Sequence, residues 1–539
     1  MVAERAGAFG ADAKLCLHLP QRRDPALSQR GSECDLSVFG GDWGTGRLAW
    51  PGTAPGACPA VRRSRGRSQR GPCPSVQRGH GFRCGGVVCL DNSLEHAQAD
   101  RQSGGCGDRP GRWRWCPARR TRGVRRGPID VAGLRGRSSP RTDRDGGVGG
   151  GLILAVKGGT IAEVSRALRE LLIRHVDAGT IPGGVALLGA GNAEVVTAGV
   201  ASIGGGPMGE DAIMRIQSMT KGITSVAALR LVEAGRLDLD QSLVDWLPEL
   251  ADRQVLRGPT AELDDTVLAR RAITLRHLLT NTSGYGMVIQ ASPLEQAMAA
   301  NGTEAGPEPP AMGADEWLRR LTELPLAFQP GEGWRYHHSF AVLGILISRV
   351  TGRPLGEHLA EDVFGPLGMT DTALWVAEGK LDRLPAAYRH GDEGLVEIEP
   401  AGGGFYAGPP SFDLSHGELV STARDYHRFA RMLAEGGRVN GQPMISPDHL
   451  QQMTRDQVPA ACKTAASFFP GFWDGMGWGF GVAVKTEGPQ RGRIGWSGGL
   501  GTDFFVDPDG TVGILLTQVE MGKDMSSLVA QFQSLHEPS

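Results

Sequence analysis

Ser218, Met219, Thr220 and Lys221 form a Ser-x-x-Lys stretch whose polar ends can do chemistry together. On a helix, residues i and i+3 share a face, so a hydroxyl and an amine at this spacing can meet. A serine hydroxyl attacks a carbonyl only when a base takes its proton, and a buried lysine can be that base. Of the 7 lysines in the chain, only Lys221 has a serine three places before it. A capping serine beside a solvated lysine has the same spacing, so the surroundings must decide. Ile223 to Ala234 reads as a mostly apolar helix that stops at Gly235. Ser218 is therefore expected near a helix N-terminus, where backbone N–H groups favour developing negative charge.

Other groups further along could join this pair. Tyr336 follows the turn Phe328-Gln329-Pro330-Gly331-Glu332-Gly333 and precedes an apolar helix, Ala341 to Val350, that ends at Gly352. Its hydroxyl could move a proton or simply be packed. His337 and His338 are adjacent, and consecutive side chains diverge on a helix, so no metal is expected. His277, in the segment Ile273 to Gly284, could act as a base, but a hydrogen-bonded structural role is the preferred reading. Gly495-Trp496-Ser497-Gly498-Gly499 fits a G-x-S-x-G elbow, which requires a strand, a sharp turn and then a helix. The chain instead continues into Thr502–Val506 and the turn Asp507-Pro508-Asp509-Gly510, which is hairpin chemistry. Ser497 is thus not read as the nucleophile.

The elements that must position these groups alternate in type. A capping box, Thr160 with Glu163, opens an amphipathic helix that ends at Gly179. Gly184–Gly189 and Val195–Ala201 read as a strand pair. Residues 285–312, rich in Gly, Pro and Ala, read as a loop or flap, and Asp315–Leu324 as a short helix. Thr422–Ala434 is an amphipathic helix, and Ser446-Pro447 an N-cap with proline at the first helical position. Residues 467–481 gather Phe468, Phe469, Phe472, Trp473, Trp478 and Phe480, which suits a pocket wall or ordinary core. Trp478–Lys485, Arg493–Trp496, Thr502–Val506 and Thr511–Gln518 read as strands, and Asp524–Leu535 as a closing helix. The fold class is α+β: an antiparallel sheet from both chain ends, flanked by terminal helices, with a large mainly helical insertion.

Residues 1–150 are unlike the rest. They carry 25 Arg and 1 Lys against 13 acidic residues, a net +13, whereas the remainder has 31 basic and 46 acidic residues, a net −15. No helical or strand period is sustained there. Eight of the nine cysteines lie in it without one C-x-x-C pair, so neither zinc nor a disulfide framework is expected. No aromatic–basic pattern supports nucleic-acid binding. The segment is expected to be disordered, or to be translated sequence upstream of the true start, with residues 151–539 forming the folded domain. The N-terminus lacks the apolar stretch of a signal peptide, and no run of roughly 18 apolar residues occurs, so no membrane span is expected and the cytoplasm is the expected location.

The ordered set of motifs resembles the serine β-lactamase and penicillin-binding-protein superfamily, and within it class C β-lactamases and family VIII carboxylesterases. The resemblance covers residues 157–535. It rests on Ser218 to Lys221, on Leu275 to Gly284, on Phe328 to Gly331 followed by Tyr336, on Leu419 to Tyr426, and on Trp496 to Gly499. It implies a β-lactamase/transpeptidase-like fold and an acyl-enzyme on Ser218, with Lys221 or Tyr336 as resting base and an oxyanion hole at the N–H groups of Ser218 and Gly499. It also implies substrate contacts at Trp496, Ser497, Gly498 and His338, with Ser497 as the serine of the third motif donating a hydrogen bond to substrate, and no metal or organic cofactor. Two departures stand out. His338 replaces the asparagine of Tyr-x-Asn, and Trp496 replaces the cation that meets a β-lactam or peptide carboxylate. An indole has one donor and no charge. The substrate implied is an uncharged ester, similar to those of family VIII esterases. A β-lactamase, a D-alanyl-D-alanine carboxypeptidase, an acyltransferase or a non-catalytic binding protein on the same fold are the alternatives.

Overall fold

The computed structural model describes residues 159–306 and 310–537. The expectations for residues 1–150 fall outside them. The first helix, α1 (Ile161–Asp177), begins at the expected capping box: Thr160 Oγ1 accepts from Glu163 N at 3.3 Å, and Thr160 N donates to Glu163 Oε2 at 2.8 Å. Strands β1 (Gly183–Gly189) and β2 (Val195–Gly199) come next.

After a long insertion come β3 (Met476–Trp478), β4 (Ala483–Lys485), β5 (Ile494–Gly498), β6 (Thr502–Val506) and β7 (Val512–Leu516). They join β1 and β2 in one antiparallel sheet of order β3-β4-β5-β6-β7-β1-β2. The two chain ends meet where Val185 of β1 pairs with Leu516 of β7. Because side chains alternate along a strand, the sheet serves two cores. Ala186, Phe505 and Leu515 face α1 and a closing helix (Lys523–Gln533), packing on Leu168, Leu172 and Phe532. Val185, Phe504 and Ile514 face the insertion.

The insertion supplies the helices that carry the site: α2 (Thr220–Glu233), α3 (His338–Thr351) and α4 (Ala423–Ala434), with the closing helix becoming α5. Among the described residues no helix is long and apolar enough to cross a membrane.

Two expectations need correction. Residues 285–312 are not all loop: Pro293–Asn301 is helical, capped by Ser292 and ended by Gly302 at φ +73°. The caps were present in the sequence, but the surrounding Gly, Pro and Ala hid the period. Trp478–Lys485 is not one strand; it breaks into β3 and β4 at Gly481, φ +73°. A Cβ there would lie 2.3 Å from Ser225 Oγ and 2.6 Å from Lys221 O, so the glycine lets this hairpin press against α2.

Arg493 and Asp507 are both buried and paired twice at 2.7 Å, and the guanidinium also donates to Gln533 O at 2.8 Å. This joins the start of β5 to the end of α5. Asp507→Ala strips that buried cation of its paired carboxylate and should cost about 3–5 kcal/mol in urea unfolding. Arg493→Met on top of it should recover part of the loss.

Candidate active site

Ser218 sits on a sharp entry into α2. The chain arrives along Met214–Arg215, which pairs with Val420–Ser421, and Ile216 N donates to Leu419 O at 3.0 Å. Arg215, fully buried, anchors this approach through Pro385 O at 2.7 Å and Gln518 Oε1 at 3.2 Å. Gln217 then adopts φ +51°, an uncommon conformation for a non-glycine residue, and a 3-10 turn, Gln217–Met219, runs into α2.

One turn on, Lys221 Nζ donates to Ser218 Oγ at 3.0 Å and also to His416 O. The lysine is fully buried, and burial pulls its pKa down to about 7 from 10.5, with the Glu418 carboxylate opposing. Its ammonium position is 4.5 Å from the centre of the Tyr336 ring.

Tyr336 comes from the turn before α3. Met287 N donates to its carbonyl at 2.8 Å, and the buried Trp334 stacks beside its ring, centroids 6.1 Å apart. The next residue, His337, has φ +98°, a strained conformation held by the surrounding packing. The Tyr336 hydroxyl accepts from Trp496 Nε1 at 2.6 Å. Burial pushes its pKa well above 10, while hydrogen bonds with Ser218 and Trp496 pull the other way.

Ser218 and Tyr336 border a cavity of about 180 Å³, whose apolar wall includes Phe468, Phe469 and Trp496. Strand β5 pairs with β4 only at Ile494 and Gly495, so Trp496 to Gly499 form an edge that faces this space. Gly498 must be glycine here: a Cβ would lie 2.2 Å from Thr502 Oγ1 and 2.5 Å from Ile216 O. The strand thus approaches the Ser218 turn closely, and Thr502 Oγ1 donates to Ile216 O at 3.0 Å.

The structure brings Ser218, Lys221, Tyr336, Trp496, Ser497, Gly498 and Gly499 to one cavity and its walls. His338 is the exception. It is buried behind the wall, its Nε2 2.7 Å from Thr303 O and its ring stacked on Trp317, so it is not placed to touch substrate. As the first residue of α3 it points into the insertion, and His337 lines the cavity in its stead. Ser497 also departs from expectation, because its hydroxyl donates to Asp503 Oδ1 at 2.6 Å. No elbow surrounds it; β5 turns through Gly501 into β6. His277 accepts from Thr274 N at 3.2 Å in a capping box and does not line the cavity.

Two further groups were not expected. His416 and Glu418 line the cavity, with His416 Nε2 and Glu418 Oε1 3.0 Å apart and Gly417 N donating to Glu418 Oε2 at 2.8 Å. Burial alone would raise the Glu418 pKa. The imidazole, the backbone N–H and Lys221 outweigh it and hold the carboxyl below its usual value. The His-Gly-Glu run directly before Leu419 was the available signal.

Comparison with known proteins agrees with this architecture. The Beta-lactamase family model matches residues 168–527. Protein Rv1367c of Mycobacterium tuberculosis is 37% identical over 333 residues, covering 60% of this chain and 80% of the relative. Esterase EstB of Burkholderia gladioli is 32% identical over 322 residues, 56% of this chain and 76% of EstB. Among solved structures, EstCE1, described as a hydrolase with promiscuous acyltransferase activity, superposes with a TM-score of 0.58 at 25% identity, over 70% of this chain and 99% of that one. This chain belongs to the beta-lactamase family, with its antiparallel sheet and serine-bearing helix.

Proposed function

We propose that the chain is a serine ester hydrolase that works through an acyl-enzyme on Ser218. The observation that carries this reading is the 3.0 Å contact between Ser218 Oγ and a fully buried lysine whose pKa is pulled to about 7. Near neutral pH a large share of Lys221 is an amine, free to take the serine proton as Oγ attacks the ester carbonyl. The resulting oxyanion would be held by the backbone N–H groups of Ser218 and Gly499. The Tyr336 hydroxyl, in contact with Ser218, passes a proton to the leaving alcohol and then takes one from the attacking water. As water attacks the acyl carbonyl and the acyl–Oγ bond breaks, Ser218 Oγ takes back the proton that Lys221 accepted, and the acid is released. The similarity to EstB supports an ester as substrate. The uncharged Trp496 beside an aromatic wall supports one with an apolar part.

The direct test is hydrolysis of p-nitrophenyl butyrate by the full-length protein, with nitrocefin alongside. Butyrate turnover is the expected result. Turnover of nitrocefin alone would move the protein to the β-lactamase side. Transfer of the acyl group to an alcohol is the second reading, favoured by the likeness to EstCE1. Butyl butyrate formed when butanol competes with water would reveal it.

Glu418 should tune this chemistry. Its carboxylate opposes the fall in the Lys221 pKa. Glu418→Gln removes that charge, so the rise of kcat/KM with pH should move to lower pH, by about half a unit or more. A pH–rate profile of the two proteins checks the direction.

A further inference from the structure

Several side-chain hydrogens around the cavity are already engaged by protein acceptors. Ser497 lines the space, yet its O–H goes to Asp503. Ser526 on α5 also lines it, and its O–H goes to Gly522 O at 2.8 Å. The Trp496 N–H is taken by Tyr336, and Gln217 Nε2 donates to the Tyr406 hydroxyl at 3.0 Å. A serine hydroxyl has one hydrogen and two lone pairs, so both serines present only lone pairs to a ligand. Glu418 adds a carboxylate, which accepts and cannot donate when ionised.

The arrangement at Ser497 is enforced from behind. Asp503 lies opposite Ser497 in the β5–β6 ladder and is fully buried. Gln533 Nε2 donates to both its oxygens at 3.1 Å, and the Arg493 and Lys485 cations act on it. While ionised, Asp503 has no hydrogen to give back, so Ser497 must donate to it and accept from anything on its other side.

We propose that this cavity selects esters carrying a hydrogen-bond donor, such as an alcohol, amide N–H or ammonium, beside Ser497, and rejects esters that place a carboxylate there. This rests on the esterase reading above and adds a substrate class to it. A carboxylate brought against Ser497 meets its lone pairs, in a cavity that Ser526 and the Glu418 charge also line, and its own oxygens go unpaired there. A donor finds partners already oriented.

The test uses the full-length protein at pH 8.5, above the value of about 7 to which burial pushes Asp503. Butyrate esters of 4-methylphenol, 4-(hydroxymethyl)phenol and 4-hydroxybenzoate probe the alcohol side. p-Nitrophenyl pentanoate and p-nitrophenyl glutarate probe the acyl side. On the side that reaches Ser497, kcat/KM should be at least about tenfold lower for the carboxylate than for its methyl counterpart, and higher for the hydroxymethyl ester. Asp503→Asn, whose amide can donate to Ser497 and free its hydrogen, should narrow the carboxylate penalty about tenfold within the same variant. Ser497→Ala should erase the donor preference without relieving the carboxylate penalty, and it serves if the buried Asp503 variant does not fold. Ratios within threefold on both sides, or ratios that neither variant moves, overturn the proposal while turnover of the methyl and pentanoate esters keeps the esterase reading. Absence of turnover for every ester removes both.

Discussion

Ser218→Ala should lower kcat/KM for p-nitrophenyl butyrate by at least about 10⁴-fold, with the fold intact. Ser218 Oγ is the hydroxyl held at 3.0 Å from the Lys221 amine, at the N-terminal end of α2. Without it the proposed oxyanion donors remain, so a small residual rate over water is expected, but no covalent intermediate. The side chain is only partly buried, and the alanine variant should keep its melting temperature. Intact mass after treatment with a fluorophosphonate separates this outcome from a misfolded variant: the parent protein gains one phosphonyl group, the variant none. Ser497→Ala should still be labelled. Activity that survives Ser218→Ala but is lost with Ser497→Ala would reassign the nucleophile.

Lys221→Met should inactivate the enzyme and stabilise it. The expected inactivation, about 10³-fold or more, comes from loss of the proposed base. The stabilisation comes from the pKa depressed to about 7 against 10.5 for an exposed lysine. Between those two values the unfolded chain binds a proton that the folded one does not, so stability rises with pH across that window. Below about pH 7 both states bind it, and the folded state bears the whole cost of a buried ammonium, on the order of 5 kcal/mol. Methionine of similar length removes that cost but leaves His416 O without this donor, a loss of about 1–3 kcal/mol. A net gain is expected at pH 6 that shrinks by pH 10. Urea unfolding at both values checks it, and a variant equally unstable at each would argue against a strained lysine. In the active parent protein, kcat/KM should climb about tenfold per pH unit below pH 7 and level off above it.

What the sequence revealed depended on distance along the chain. The Ser218–Lys221 pair and the Thr160 cap could be read directly, because contacts within one helical turn follow from spacing. The contact between Trp496 and Tyr336 spans 160 positions, and only the order of motifs suggested that they meet. The orientation of side chains was not legible. His338 occupies the place of a substrate-binding residue, yet helix α3 begins at it and turns it toward Thr303. Ser497 faces the cavity as expected, but its hydrogen belongs to Asp503, whose position depends on the β5–β6 register. The role of Glu418 was hidden for the same reason: a lone acid in a loop has no period. Gly481 shows the reverse case, a strand pattern overruled because helix α2 needed room.

The hydrogen bond from Thr502 Oγ1 to Ile216 O joins positions 286 residues apart. At a ribosome adding about 5–20 residues per second, Ser218 emerges on the order of 15–60 s before the strand that walls its cavity. During that interval the serine and lysine share a turn but lack the Trp496–Gly499 edge and the closing partner strand of β1. If the proposed site is the catalytic one, the nascent chain should turn over no ester until its last strands arrive, and completion of the sheet should also be the moment of activation.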